Sequence, residues 1–266
     1  MSEEVKKRID AVFVCGGVWH DMDFARVELL KLLSEDDRVR VRVFEDYDQA
    51  LPAIADADFV ITYTSNIVGG LETQEALKAF VENGGRWFAL HATNSVVRFL
   101  SPDGASYENL VVDAPRWAPL MMETIGSQFI AHPPMDTFKV EVTQPDHPLV
   151  KDIEPFEAFD EQFLLETYGE IDVLLHCEFE GEAAGFVENN WEKKTHPVLY
   201  QKTTGKGAVL YLALGHCRGH YDMPGIADFY PQVERCVWDL PVYYTLLRRG
   251  IGWAKEPILE DELATA

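Results

Sequence analysis

The sequence predicts an α/β protein built on a doubly wound, mostly parallel sheet. Over the first hundred residues, segments with the two-residue period of strands alternate with segments whose apolar residues recur at helical spacing. Alternation of this kind yields parallel strands joined by right-handed crossovers, with helices on both faces of the sheet. The composition supplies enough apolar material, since the 266 residues are 47% hydrophobic and 26% charged, close to the average for soluble domains.

In chain order, AVFVCGG from Ala11 reads as a buried strand, DFARVELLKLLSE as a helix, and VRVRVFED as a half-buried strand that alternates apolar with charged residues. A short helical piece around Leu51 to Ala55 precedes the strand DFVITYTS from Asp58. The helix LETQEALKAFVENGG then ends in a Gly pair suited to a C-cap, and RWFALHA from Arg86 is the fourth strand. Between about 94 and 135 the rhythm breaks. Pro102, Gly104, Pro115, Pro119, Pro133 and Pro134 separate short helical pieces such as WAPLMMETIG, and the stretch reads as an insertion beside the carboxyl edge of the sheet. Further strands are expected at TFKVEV, IDVLLHCEF, HPVLYQ and GAVLYLALGH. The amphipathic FYPQVERCVWDLPVYYTLLRRGIGWA reads as a closing helix interrupted near Pro241. Residues 1–254 are thus expected to form a single domain, with 255–266 as an acidic, frayed tail.

Charge and composition narrow the partners. Forty-five acidic against 23 basic residues give a net charge of −22, which repels nucleic acid and anionic lipid. No apolar run approaches the roughly 18 residues of a membrane span, and MSEEVKKRID lacks the apolar core of a signal peptide, so a cytoplasmic location is expected. The four cysteines show no C-x-x-C spacing and are expected to be unpaired, with Cys15 and Cys177 in strands and Cys236 on the closing helix as small hydrophobes. Gly16 and Gly17 belong to neither a G-x-G-x-x-G nor a Lys-bearing phosphate loop, so their expected role is a tight turn out of the first strand.

In an open parallel sheet, ligands bind outside the carboxyl ends of the strands, and several histidines stand there. His20 follows the first strand in GGVWHD, His91 closes the fourth in FALHATN, and His216 closes a late strand in LALGHCRGH, with His220 four residues on. These three strand-end imidazoles, His20, His91 and His216, are expected around one pocket as metal ligands or acid–base groups. His132 lies in the insertion. In FDEQF, Asp160 and Glu161 stand between phenylalanines, so one carboxylate is expected to face inward, where burial raises its proton affinity toward that of a base. Trp19, Tyr63 and Asn66 are the expected substrate contacts, the indole stacking on a sugar face. His147 and His196, each before a proline, are expected at the periphery, and His176 within a sheet. Cys217, beside His216, points to the opposite face if the segment is extended, which argues against a Cys–His pair.

The ordered set GGVWHD, VENGGRWFALHA, IAHPP, DHPLV, FDEQF, HPVLYQKTTGKGAVLYLALGH and GIGWA resembles the ThuA-like, or trehalose-utilisation, family over about Val12 to Ala254. The resemblance implies a flavodoxin-like sheet related to class I glutamine amidotransferases, and a place in disaccharide or keto-sugar catabolism. It also puts the Asp160–Glu161 pair at the pocket. Amidotransferase relatives carry a nucleophilic Cys in a tight elbow after a central strand. Here His91 stands in the corresponding position, which removes glutaminase chemistry. The leading expectation is an enzyme acting on a keto-sugar or oxidised glycoside by base-assisted enolisation, isomerisation, elimination or hydrolysis. Glu161, Asp160, His132 and His91 are its catalytic candidates, and His20, His91 and His216 suit a divalent metal such as zinc. The alternatives are a non-catalytic carbohydrate-binding or regulatory protein, with the same small-molecule carbohydrate as partner, and an amidotransferase or peptidase relative using Cys217. Homo-oligomerisation is compatible with every reading.

Overall fold

The computed structural model describes residues 7–100 and 110–265; of the sequence expectations, Pro102 and Gly104 lie outside them. Strand β1 (Ile9–Gly17) leads through helix α1 (Met22–Leu33) to β2 (Val39–Phe44). Helix α2 (Tyr47–Ile54), β3 (Phe59–Ser65), α3 (Leu71–Glu82) and β4 (Arg86–Leu90) follow. Asp21 and Asp46 cap the first two helices by accepting the backbone N–H groups of Phe24 and Gln49. The insertion folds as β5 (Arg98–Phe99), β6 (Val112–Asp113), α4 (Pro119–Ile125) and β7 (Ser127–Ala131). The remainder gives β8 (Asp136–Val142), β9 (Phe156–Asp160), β10 (Leu164–Thr167), β11 (Asp172–Glu182), β12 (Asn190–Thr204), β13 (Gly207–Leu212) and α5 (Pro241–Thr265).

Nine strands form one sheet in the order β2-β1-β3-β4-β13-β12-β11-β8-β9. The run from β2 to β13 is parallel throughout, and its 2-1-3-4-5 sequence of neighbours is the flavodoxin-like winding. From β13 onward every pairing is antiparallel, so a four-strand wing extends the sheet. The two faces bury different residues of the same strand, as a period of two requires. On β1, Ile9, Ala11, Phe13 and Cys15 pack with Leu29 of α1 and Tyr243 and Leu247 of α5. Val12 and Val14 pack with α2, α3 and α4 through Ala50, Leu77 and Met122. β7 and β10 pair beside the main sheet, as do β5 and β6.

The carboxyl edge is crowded. A Cβ on Gly16 would stand 2.0 Å from the Glu45 carbonyl oxygen, and Gly17, at φ +112°, has the Ser65 carbonyl oxygen 1.9 Å from where its Cβ would be. The pair makes the expected tight turn. Beyond it, Trp19 (φ 67°), Asn66 (φ 57°) and Ala92 (φ 63°) are left-handed, so the exits from three adjacent parallel strands carry non-glycine residues in an unfavourable conformation.

Several expectations need correction. His196 stands apart from the strand-end histidines but not at the start of its segment: β12 starts six residues before it, and mid-strand it is buried, accepting a hydrogen bond from the Leu165 N–H through Nδ1. Pro241 does not interrupt the closing helix but starts it, since proline suits the first turn, where its missing N–H has no helical partner. Cys236 therefore sits in a 3-10 turn (Cys236–Asp239) ahead of that helix. Residues 255–265 continue α5 rather than fray from it. All four cysteines are free thiols. Among the described residues no helix is long and apolar enough to cross a membrane.

Candidate functional site

At the carboxyl edge the turns after β1, β4 and β13 bring His20, His91 and His216 together. His20 Nε2 lies 3.1 Å from His91 Nε2 and 3.2 Å from His216 Nδ1. Glu161, just past β9, completes the group, with Oε1 3.2 Å from His216 Nδ1 and Oε2 3.4 Å from His91 Nε2 and 3.9 Å from His20 Nε2. All four are buried.

The outward nitrogens fix what the inward ones offer. His91 Nδ1 is 2.6 Å from the Ala213 carbonyl oxygen, His20 Nδ1 is 3.4 Å from that of Val18, and His216 Nε2 is 2.9 Å from Glu234 Oε2. Carbonyls and carboxylates only accept, so each of these nitrogens carries the ring hydrogen, and in the neutral rings the opposite nitrogen presents a lone pair. Three lone pairs and a carboxylate thus converge within 4.8 Å, an arrangement suited to a cation between them. One candidate is a proton. Burial alone would push His216 down, but Glu161 beside it and the bonds to Glu161 and Glu234 lift it to about 9. Burial, together with His216 and His91, holds His20 well below the usual imidazole value. The other candidate is a divalent metal. Bonds of about 2.0–2.1 Å at a tetrahedral angle put ligand atoms about 3.3 Å apart, near the 3.1–3.4 Å of four of the pairs here, while Glu161 Oε2 and His20 Nε2 stand 3.9 Å apart. The oxygen acceptors behind each imidazole are the partners that metal-bound histidines use.

Asp160 and Glu161 do different work. Asp160 is fully buried and accepts the backbone N–H groups of Gly215 (2.8 Å), His216 (3.1 Å) and Glu161 (2.7 Å). It ties the His216 turn to β9 and does not face the cavity, so the structure makes it a positioning residue rather than a catalytic one. Burial pushes its carboxyl upward. For Glu161 the expected rise in proton affinity is reversed: burial opposes the charge, but His216 and His132 outweigh it and hold the carboxyl well below its usual range. Gly215, at φ +132°, completes the turn, since a Cβ there would meet the Tyr243 hydroxyl at 2.3 Å.

His20 and Glu161 of the cluster border a cavity of about 350 Å³ that Trp19, His132 and Arg218 also line, while His91 and His216 are fully buried behind them. His132 gives its Nδ1 hydrogen to the Pro133 carbonyl (2.7 Å), leaving Nε2 3.8 Å from Glu161 Oε1. Burial lowers its pKa, partly offset by Glu161. Arg218 spans Glu161 (3.7 Å) and Glu234 (3.3 Å), its guanidinium over the Tyr230 ring, and Tyr230 donates to Glu234 at 2.8 Å. Trp19 borders the cavity edge-on to Phe99, ring centroids 5.1 Å apart.

Two expected substrate contacts stand elsewhere. Tyr63 is wholly buried, donating to the Gly215 carbonyl beneath the histidines at 2.8 Å, because a strand covered on both faces hides alternate residues equally. Asn66 turns its Oδ1 to the Val97 N–H and braces the loop after β4. His220 stacks on Phe229, outside the cluster. His176 lies in β11, bonded to Thr143, and His147 in the turn after β8. Cys217 is buried against Tyr63, and burial pushes its thiol up to about 12, so it carries no thiolate. Arg218 and Glu234 escaped the sequence reading. The one available signal was a charged residue two positions after a strand-end histidine.

The comparisons agree with this fold. The family model ThuA, described as trehalose utilisation, matches residues 11–231. Among solved structures, a ThuA-like protein from Parabacteroides merdae superposes with a TM-score of 0.64 at 18% identity, covering 93% of this chain and 90% of its own. One from Bacteroides uniformis gives 0.65 at 16%, covering 96% and 94%. A Salmonella typhimurium protein described as cytoplasmic gives 0.53 at 14%, covering 92% and 99%. At these identities the structures share the fold. A search of curated proteins by sequence finds no significant match. With the family model spanning most of its length, the chain belongs to the ThuA (trehalose utilisation) family.

Proposed function

We propose that this protein is a sugar-catabolism enzyme that moves the proton beside the carbonyl of a keto-sugar or oxidised glycoside. The observation that supports it most is the convergence of His20, His91, His216 and Glu161 on one cation position, with His20 and Glu161 bordering the cavity and the His132 Nε2 lone pair beside it. A divalent cation such as zinc, held by those four residues, supplies Lewis acidity toward a carbonyl or hydroxyl oxygen. The remaining roles fall to the chain itself. His132 is the base: its Nδ1 is committed to Pro133, so Nε2 is the nitrogen that takes the proton. Glu161 anchors His216 and His91, Glu234 fixes the His216 tautomer, and Arg218 faces the cavity as a hydrogen-bond donor to substrate oxygen. Removing the proton next to the carbonyl gives an enolate, which reprotonates in isomerisation or expels a neighbouring substituent in elimination. For loss of the anomeric substituent the acidic hydrogen is on C2, which places the carbonyl at C3.

The family match supports the sugar context, and the net charge of −22 fits a small-molecule partner in the cytoplasm rather than nucleic acid or a membrane. The test is deuterium uptake at C2 of methyl 3-oxo-glucopyranoside in heavy water, followed by NMR with the zinc-loaded protein. Uptake should fall by about 100-fold or more in His132→Asn. Undiminished uptake in both His132→Asn and Glu161→Gln would overturn the assignment of these residues.

A further inference from the structure

We infer that the group attached to the reacting sugar is aromatic, an aryl aglycone rather than a second sugar; this rests on the function proposed above and names the substrate class of the same site. The cavity divides sharply by chemistry. Its polar side chains are gathered at the cluster and the turns around it: His20, His132 and Arg218 all lie within 4 Å of Glu161, Ser65 ends β3, and Ser95 stands in the turn after β4. The rest of the lining contributed by described residues is hydrocarbon or aromatic, chiefly Phe99, Phe129, Phe163, Phe186, Met223 and Ile226. Phe129 packs on Phe163 and Phe186 with ring centroids 4.5 and 5.8 Å apart, and Phe186 on His132 at 5.0 Å. Trp19 and Phe99 form a second aromatic pair.

One polar ring fits against this polar end, where donors and acceptors are available for its hydroxyls. A second sugar ring would need partners for its own hydroxyls around its whole equator, and among the described residues these walls offer few, the unpartnered Trp19 Nε1 being one, although a single sugar face can stack on an aromatic ring. Hydroxyls buried without partners are penalised, whereas a planar apolar ring gains from both the burial and the edge-to-face contacts. A pocket of about 350 Å³ also lies near the small end of ligand clefts, which run from roughly 300 to 1,000 Å³. In the eliminating reaction the C2 proton passes to His132 Nε2 and the C–H electron pair forms the enolate. The enolate then restores the C3 carbonyl as C1=C2 forms and the C1–O bond breaks. The aglycone oxygen leaves with that electron pair and takes up a proton to become the phenol. No oxidant or reductant is consumed.

The experiment separates the aglycone from the chemistry. Deuterium uptake at C2 of methyl 3-oxo-glucopyranoside, which has neither kind of aglycone, is measured with the zinc-loaded protein. It is then inhibited with unreactive glucosides: phenyl α- and β-glucopyranoside on one side, the glucosyl glucosides trehalose and cellobiose on the other. The expected result is that a phenyl glucoside inhibits at a concentration at least ~10-fold below that of either disaccharide, the scale on which an apolar pocket rejects added hydroxyls. Phe186→Ser and Met223→Ser should each narrow that ratio. Equal inhibition, or tighter inhibition by a disaccharide, overturns the aryl assignment and leaves the proton-transfer function standing. Absence of C2 exchange in the wild-type protein overturns the function and the inference together.

Discussion

Replacing Asp160 by Asn keeps the shape of the side chain and removes one acceptor. Asp160 Oδ1 receives two backbone N–H groups and Oδ2 one, that of Gly215. The amide turns its oxygen toward the pair and its NH2 toward Gly215, so two donors face each other in a buried site. Losing a hydrogen bond to a charged acceptor costs about 1.5–3 kcal/mol and orphaning a buried N–H about 1–3 kcal/mol. Because these overlap, the net is about 3 kcal/mol. At about 2.1 cal/mol/K of unfolding entropy per residue, the 266-residue chain loses about 5 °C of melting temperature. The same change loosens the turn that carries His216, and loss of such a supporting contact typically weakens metal binding 10- to 100-fold. Differential scanning calorimetry and zinc titration of Asp160→Asn measure both effects. A reacting base would behave in the opposite way, with activity gone and stability and zinc affinity intact. An unchanged melting temperature with an unchanged zinc affinity refutes the positioning role.

Four further outcomes are expected. Zinc at about 1,000 times its dissociation constant should add about 4 kcal/mol to stability, read as about 7 °C in melting temperature; chelation should remove the increment, and His91→Gln should abolish it. Burial, aided by nearby Lys194, lowers His196 to about 4 from 6.5. Stability is therefore unaffected by this group above pH 6.5 and falls by about 3 kcal/mol between pH 6.5 and 4, as the unfolded chain takes up the proton first; urea midpoints across that range should slope less steeply in His196→Asn. Gly17→Ala should unfold the carboxyl edge, lowering the melting temperature by more than about 5 °C, because its Cβ meets the Ser65 carbonyl. Gly252→Ala, where nothing lies within 4 Å, should instead gain about 0.5–1 kcal/mol in the helix.

Periodicity made the parallel half of the sheet legible, because AVFVCGG, DFVITYTS and RWFALHA are apolar runs with helical segments between them. The antiparallel wing and its neighbours were harder to read. FEAFD and LLET are four- or five-residue strands, too short for a period to stand out, and the acids between them suggest a bend. His20, His91 and His216 were visible because each lies within four residues of the end of a strand. Their partner Glu234 lies in an irregular loop before α5, where neither period applies, so nothing in the sequence aimed it at His216. Tyr63 misled for a related reason. A run such as FVITYTS is buried on both faces, and the sequence does not tell a side chain at a cavity from one beneath it.

Strand β13 lies between β4 and β12 in the middle of the sheet, although residues 91–206 separate it from β4 along the chain. The parallel half and the wing therefore remain two separate edges until residues 207–212 insert between them. His216 and the Ala213 carbonyl that orients His91 arrive only with that insertion. Contacts of such sequence separation form slowly, and unpaired strand edges exposed meanwhile invite association. A nascent chain released before Leu212 thus carries His20 and His91 without a site, and has two open sheet edges where the finished protein has its central strand.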